Sequence, residues 1–293
     1  MPSGAGRAAT TAPRWHALIP RFSRRDIFEG ALMAFAFLLY FWVRGAVVDD
    51  PETAYWHARD IIDVQRNLGF FWEDNMNDWV KDKEFVAQAL NLVYFYLHFP
   101  LIIIVGMGFY FYRRRDYTFV RDSFLISGAI ALVIYFLYPV APPRELPILA
   151  SEFDPNAPPY ILTFFDTMKA YLGYAYDTQS TRAFVNPYAA MPSLHFGWDL
   201  LLGIAIARAF TGTFLRWPAL AVGAFLPASQ VLAITVTANH FFVDAMAGGV
   251  VAMAGLGLAW ALQRRGYPFI REQLRRLPWA WVQKAATEPT PTT

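Results

Sequence analysis

The chain has 293 residues, 56% hydrophobic and only 16% charged, against about 25% charged in an ordinary soluble domain. It contains no Cys, which excludes disulfides, thiolate metal sites and Cys nucleophiles. The net charge of +2 says little as a total, but several apolar runs approach the roughly 20 residues that cross a bilayer as a helix, so the composition reads as a polytopic membrane protein.

Residues 1–20 are rich in Ala, Thr, Pro and Gly and read as disordered. "RFSRRD" (21–26) is a basic juxtamembrane segment, so 1–27 form a leader. A first span is expected over about 28–48; no small-residue cleavage site follows it, and it reads as an anchor that stays. Residues 49–85 are polar and acidic, with Trp56, Trp72 and Trp79 interleaved, and suit short helices on the membrane surface. The second span covers about 86–111 and ends at "YRRRD"; the third covers about 119–139 and ends at "YPVAPPRELP". The loop 141–191 carries "YILTFFDTMKAYLGY", which suits an interfacial helix. Span four runs from Pro192 to about Phe210, span five over 217–237 and span six over 239–262. Residues 263–293 form a basic, Trp-containing tail suited to anionic lipid and not to nucleic acid. The expected fold class is all-α: six transmembrane helices in one domain, 28–262, with interfacial helices in the outer loops.

Lys and Arg set the orientation. With six spans, both termini and the loops after spans two and four share one side, which holds 17 of the 25 Lys and Arg. That side is expected to be cytoplasmic, in an inner or plasma membrane. The outer side holds seven cations against 15 acids.

Ionisable groups at membrane depth are costly and mark function by default. Arg144 follows span three, His195 and Asp199 lie in the first turns of span four, and His240 and Asp244 in those of span six. All fall at the outer face, although the topology was argued from charge alone. Both His–Asp pairs are i, i+4, which stacks them on one helix face, where a carboxylate can orient an imidazole and stabilise its cation. A buried, satisfied polar contact is the plain alternative for either pair taken singly. In "MPSLH", Pro192 suits the first helical position, and free N–H groups with the Ser193 hydroxyl would make an anion site; an ordinary helix start reads the same way. Arg144 offers a fork of donors to phosphate, or is an interfacial Arg with its head in water.

"APPRELP", "MPSLH" and "NHFFVD" resemble, in order, the three motifs of the type 2 phosphatidic acid phosphatase superfamily, in the manner of its inositol-phosphorylceramide-synthase-like branch, which has Pro-Ser-Leu-His where lipid phosphatases have Pro-Ser-Gly-His. The resemblance covers about 119–262. It implies His240 as the nucleophile that forms a phosphohistidine, Asp244 as its partner, His195 as the acid for the leaving oxygen, and Ser193 and Arg144 as phosphate binders, with no metal and no cofactor. The sequence departs from the superfamily at Leu137 and Ile234, where a Lys and an Arg are expected, and in the order Pro143-Arg144. Arg182, Lys169 or Arg44 could supply the missing charge, and Asn239 or Thr237 could donate hydrogen bonds instead. Asp199 lies outside the motifs; it orients His195 or faces water.

The function this implies is phosphoryl or phospho-headgroup transfer from a phosphorylated lipid entering from the bilayer, to water or to a polyol or lipid hydroxyl. A transporter relaying protons through His–Asp pairs is the alternative. An intramembrane protease on Ser193 and His195 is disfavoured, because residues two apart on a helix do not face each other.

Overall fold

In the computed structural model the described residues are 23–46, 50–172 and 188–276. The leader before residue 23, the tail after residue 276 and the segment containing Arg182 lie outside them. The chain divides into two compact units at Leu39/Tyr40. The described part of the first is the beginning of helix α1 (Arg24–Ala46). The second unit contains everything that follows.

That unit is all-helical among its described residues, apart from one parallel bridge between Val140 and Ala189. Three short helices follow α1: α2 (Pro51–Asn67), α3 (Glu73–Val80) and α4 (Glu84–Asn91). A π-helical stretch, Leu92–Leu97, joins α4 to α5 (His98–Tyr112), and α6 spans Arg114–Leu137. The long loop contains a 3₁₀ turn at Pro143–Glu145, then α7 (Leu146–Phe153), α8 (Pro159–Leu162) and α9 (Thr167–Leu172). Last come α10 (Leu194–Ala209), α11 (Arg216–Val236), α12 (Phe242–Ala261), a second π-helical stretch at Leu262–Gly266, and α13 (Tyr267–Arg276).

Among the described residues, four helical segments are long and apolar enough to cross a membrane: Arg24–Val43, Arg114–Leu137, Arg216–Val236 and Phe242–Arg276. There are five if Glu84–Phe95 and His98–Tyr112, bent by 42° at their junction, count as one crossing. The expected fourth span departs from this pattern. It begins two residues late, at Leu194, after a cis Met191–Pro192 bond and with Ser193 as N-cap. At 16 residues it is about 24 Å long, short of the roughly 30 Å hydrocarbon core. The sixth span runs on past 262 to Arg276, through the π-helical stretch and in spite of Gly266 and Pro268, and the Tyr267 hydroxyl donates to Asp122 Oδ2 on α6 at 2.8 Å.

The bundle packs α10 against α11, α6 against α12, and α10 against α12. Small residues let these backbones approach, as in other membrane bundles. A Cβ at Gly203 would lie 2.1 Å from the Gly223 carbonyl oxygen, and one at Gly248 would lie 2.0 Å from that of Ser193. The segment 49–85, expected to form short helices, contains α2 and α3. In α2, Asp50 caps the first turn by accepting from the Thr53 N–H at 3.0 Å, and Pro51 suits the first helical position. Its buried face, Ala54, Tyr55, Ala58, Ile61 and Ile62, packs with Leu146 and Leu149 of α7 and with Ala238 and Phe241 from the loop between α11 and α12. This cap holds the three motif segments together.

Candidate active site

Main-chain hydrogen bonds join the motif segments before any side chain is considered. The Val140 N–H donates to the Tyr188 carbonyl at 2.7 Å, and the Ala190 N–H donates back to Val140 at 3.3 Å. The Arg144 N–H donates to the Ala238 carbonyl at 2.9 Å, and the Ser193 N–H to the Asp244 carbonyl at 2.8 Å. The glycine at 248 is what permits the last contact, since any side chain there would meet Ser193.

His240 is buried at 5% exposure. Its Nδ1 lies 2.8 Å from the Ala190 carbonyl oxygen and 3.4 Å from Asp244 Oδ2. A carbonyl only accepts, so Nδ1 carries the hydrogen and Nε2 keeps its lone pair. The tautomer is therefore fixed first by the main chain. Asp244, fully buried, stands behind at ion-pair distance and also accepts the Phe241 N–H at 2.9 Å.

His195 opens α10, and its ring centroid lies 5.7 Å from that of His240. It contacts Tyr94 at 4.3 Å and His98 at 4.6 Å. The i, i+4 spacing leaves Asp199 either orienting His195 or facing water; its Oδ1 lies 2.8 Å from His98 Nδ1. Spacing fixes only the helix face; α5 brings a further imidazole, His98, to that face. Tyr94 and His98 are thus site residues that the sequence reading missed. The rule that selected His195 also applies to His98, an imidazole inside the apolar run "YLHFPLIII". His98, His195 and His240 line one small cavity with Tyr40, Tyr135 and Trp198.

Arg144 is 6% exposed, and its guanidinium donates to Asn239 Oδ1. Its Nε lies 3.6 Å from Glu145 and 4.0 Å from Asp166. Asn239, expected as a phosphate donor, braces the guanidinium through its Oδ1, and its Nδ2 donates to Thr237 Oγ1 at 2.6 Å. The Ser193 hydroxyl is fully buried, makes no side-chain cap and has no hydrogen-bond partner among the described residues. It precedes the N–H groups of Leu194, His195 and Phe196, since the first bond of the helix runs from the Gly197 N–H to Ser193 at 3.1 Å. Lys169 is exposed on α9; Arg182 and the Arg44 side chain fall outside the described residues. Among the described residues, no group of His, Asp and Glu converges so as to hold a metal ion.

Glu73, which the sequence did not single out, caps α12 from α3. Its Oε1 accepts from the Phe242 N–H at 2.6 Å and from Gln65 Nε2 at 2.7 Å, and its Oε2 from the Trp72 N–H at 3.0 Å. Burial pushes its carboxyl above the ordinary value of 4.5, while the donors pull in the opposite direction.

A family profile described as the PAP2 superfamily matches residues 59–258, which include all three motif segments and exclude α1. No curated protein and no solved structure matches the chain. The profile covers more than two thirds of the sequence, and its span lies within the unit that carries Arg144, His195 and His240. The chain belongs to the PAP2 superfamily.

Proposed function

We propose that this chain transfers a phosphoryl or phospho-headgroup from a lipid through a phosphohistidine, and that His240 is the nucleophile. One observation carries the reading: an imidazole whose Nδ1–H is committed to Ala190 and Asp244, which leaves Nε2 as the free ring nitrogen, with a second imidazole 5.7 Å away between ring centroids. Nε2 attacks phosphorus and the bond to the leaving oxygen breaks, with the proton of His195 passing to that oxygen. The acceptor hydroxyl then attacks phosphorus, the P–N bond breaks, and the acceptor's proton returns to His195. Arg144, the Ser193 hydroxyl and the N–H groups opening α10 hold the phosphate oxygens as charge builds. Membership of the PAP2 superfamily suggests phosphatase or phosphotransferase chemistry. The closer likeness to inositol-phosphorylceramide synthases rests on "MPSLH" and favours transfer over hydrolysis.

The chain crosses the bilayer six times in this reading, with α4 and α5 as one bent crossing and α10 as a short one that sets the site at the extracytoplasmic face. The imidazoles and Arg144 lie at helix ends and beside one another, which suits chemistry on a headgroup better than a relay across the bilayer.

The test is incubation of the purified protein with labelled phospholipids and isoprenoid phosphates, with and without inositol or another polyol. A new labelled phosphodiester identifies transfer, and free phosphate identifies hydrolysis. His240→Ala should lower either by at least about a thousandfold. Full turnover by that variant overturns the reading.

A further inference from the structure

We propose that His98 and Asp199 form a positioning pair that keeps a proton on His195, ready for the leaving oxygen; the proposal rests on the phosphotransfer reading above. Both residues are buried, at 2% and 4% exposure, and neither belongs to the three motif segments. The contact between His98 Nδ1 and Asp199 Oδ1 is 2.8 Å, the length of a charge-assisted hydrogen bond. A carboxylate only accepts, so Nδ1 of His98 carries the hydrogen.

An ionised carboxylate shielded from water is strongly disfavoured without a compensating positive charge. The groups that can carry one are His98 and the ring it touches, His195, at 4.6 Å. Tyr94 faces His195 from the π-helical stretch, His240 faces it from the loop before α12, and Tyr40 and Tyr135 complete the cavity wall. A phenol hydroxyl cannot carry a positive charge, and Asp244 is engaged with His240. The charge of Asp199 therefore acts on the His98–His195 pair. Trp198 stacks on His98 with the rings 11° apart at 6.2 Å, and helps exclude water. The order Asp199, His98, His195, His240 leads from a buried negative charge to the nucleophile. The π-helical stretch Leu92–Leu97 just precedes His98 and brings Tyr94 and His98 against the same ring, in keeping with the use of such stretches at functional sites.

Asp199→Asn separates charge from shape, because the amide oxygen can still accept from His98 Nδ1. The kcat on an alkyl phosphate ester, whose leaving oxygen needs a proton, should fall at least about tenfold. The kcat on a p-nitrophenyl ester, which leaves without one, should fall less than about threefold, with both KM values unchanged. Equal losses on the two esters, or none on either, overturn the proposal. Nitrogen-15 histidine NMR in detergent supplies a readout independent of turnover. The imidazolium fraction of His195 at neutral pH should drop in Asp199→Asn, and an unchanged fraction overturns the proposal. If Asp199→Asn does not fold, His98→Gln carries the same two readouts. His240→Ala, assayed alongside, isolates the underlying reading: full turnover there refutes the phosphohistidine, while the NMR comparison still decides the role of Asp199.

Discussion

Arg144 and Asn239 show how one buried cation is held in place. A guanidinium at 6% exposure needs acceptors, and Asn239 supplies one from the turn that also carries His240. Asn239→Ala should therefore act through Arg144. We expect KM for a phosphate ester to rise about tenfold, the worth of roughly one hydrogen bond to a charged group. In an Arg144→Ala background the same substitution should add less than about twofold, because the brace then has nothing to hold. Additive losses in this double-mutant cycle would show that Asn239 binds phosphate directly. Donors and acceptors along "TANHFF" are visible in the sequence, but their partners are not. His98 is a different kind of miss. The rule for ionisable groups inside apolar runs was sufficient, but attention fell on spacings within a single helix, and the His98–Asp199 contact joins residues 101 apart.

At the scale of elements, the site depends on a helix crossing and a helix cap. The α12 backbone passes so close to Ser193 that a methyl at position 248 would lie 2.0 Å from a carbonyl oxygen. Gly248→Ala should destabilise the protein by about 1–3 kcal/mol, the usual cost of overpacking, and lower activity with it. Gly257→Ala, on the same helix with nothing within 4 Å of the added carbon, should instead stabilise by about 0.5–1 kcal/mol. Thermal unfolding in detergent compares the two. The cap belongs to Glu73. Its native pKa lies above the unfolded value near 4.5, so the folded protein binds the extra proton between the two. Its contribution to stability is full below about 4.5 and is lost as pH rises through the native value. Glu73→Gln should flatten the fall in melting temperature above pH 4.5; a slope identical to wild type would show that Glu73 does not titrate there. Neither device is legible in the sequence. A glycine inside a helix and a glutamate in an acidic stretch look ordinary until the chain brings residues 73 and 242, or 193 and 248, together.

For the whole molecule, hydropathy located the long helices well, and α11 begins and ends within a residue of its expected span. It did less well where polar groups enter the bundle. The α10 segment carries His195 and Asp199 in its first turns and forms only 16 helical residues, so length alone does not identify it as a crossing. Orientation then rests on charge. Six crossings place position 115 in the cytoplasm and positions 83 and 152 outside, and all three are exposed. Five crossings would leave these three where they are and move position 271, because removing α10 as a crossing puts everything after it on the opposite face. The absence of Cys makes the experiment clean, since each single substitution introduces the only thiol in the protein. In intact cells a membrane-impermeant maleimide should label Lys83→Cys and Glu152→Cys. Arg115→Cys and Arg271→Cys should react only after permeabilisation. Labelling of position 271 from outside, with 115 still protected, would mean that α10 does not cross. The tail would then lie beyond the membrane, away from the anionic inner leaflet that its Arg residues suit. Labelling of position 115 from outside would overturn the charge argument itself, and with it the placement of His195 and His240 at the extracytoplasmic face.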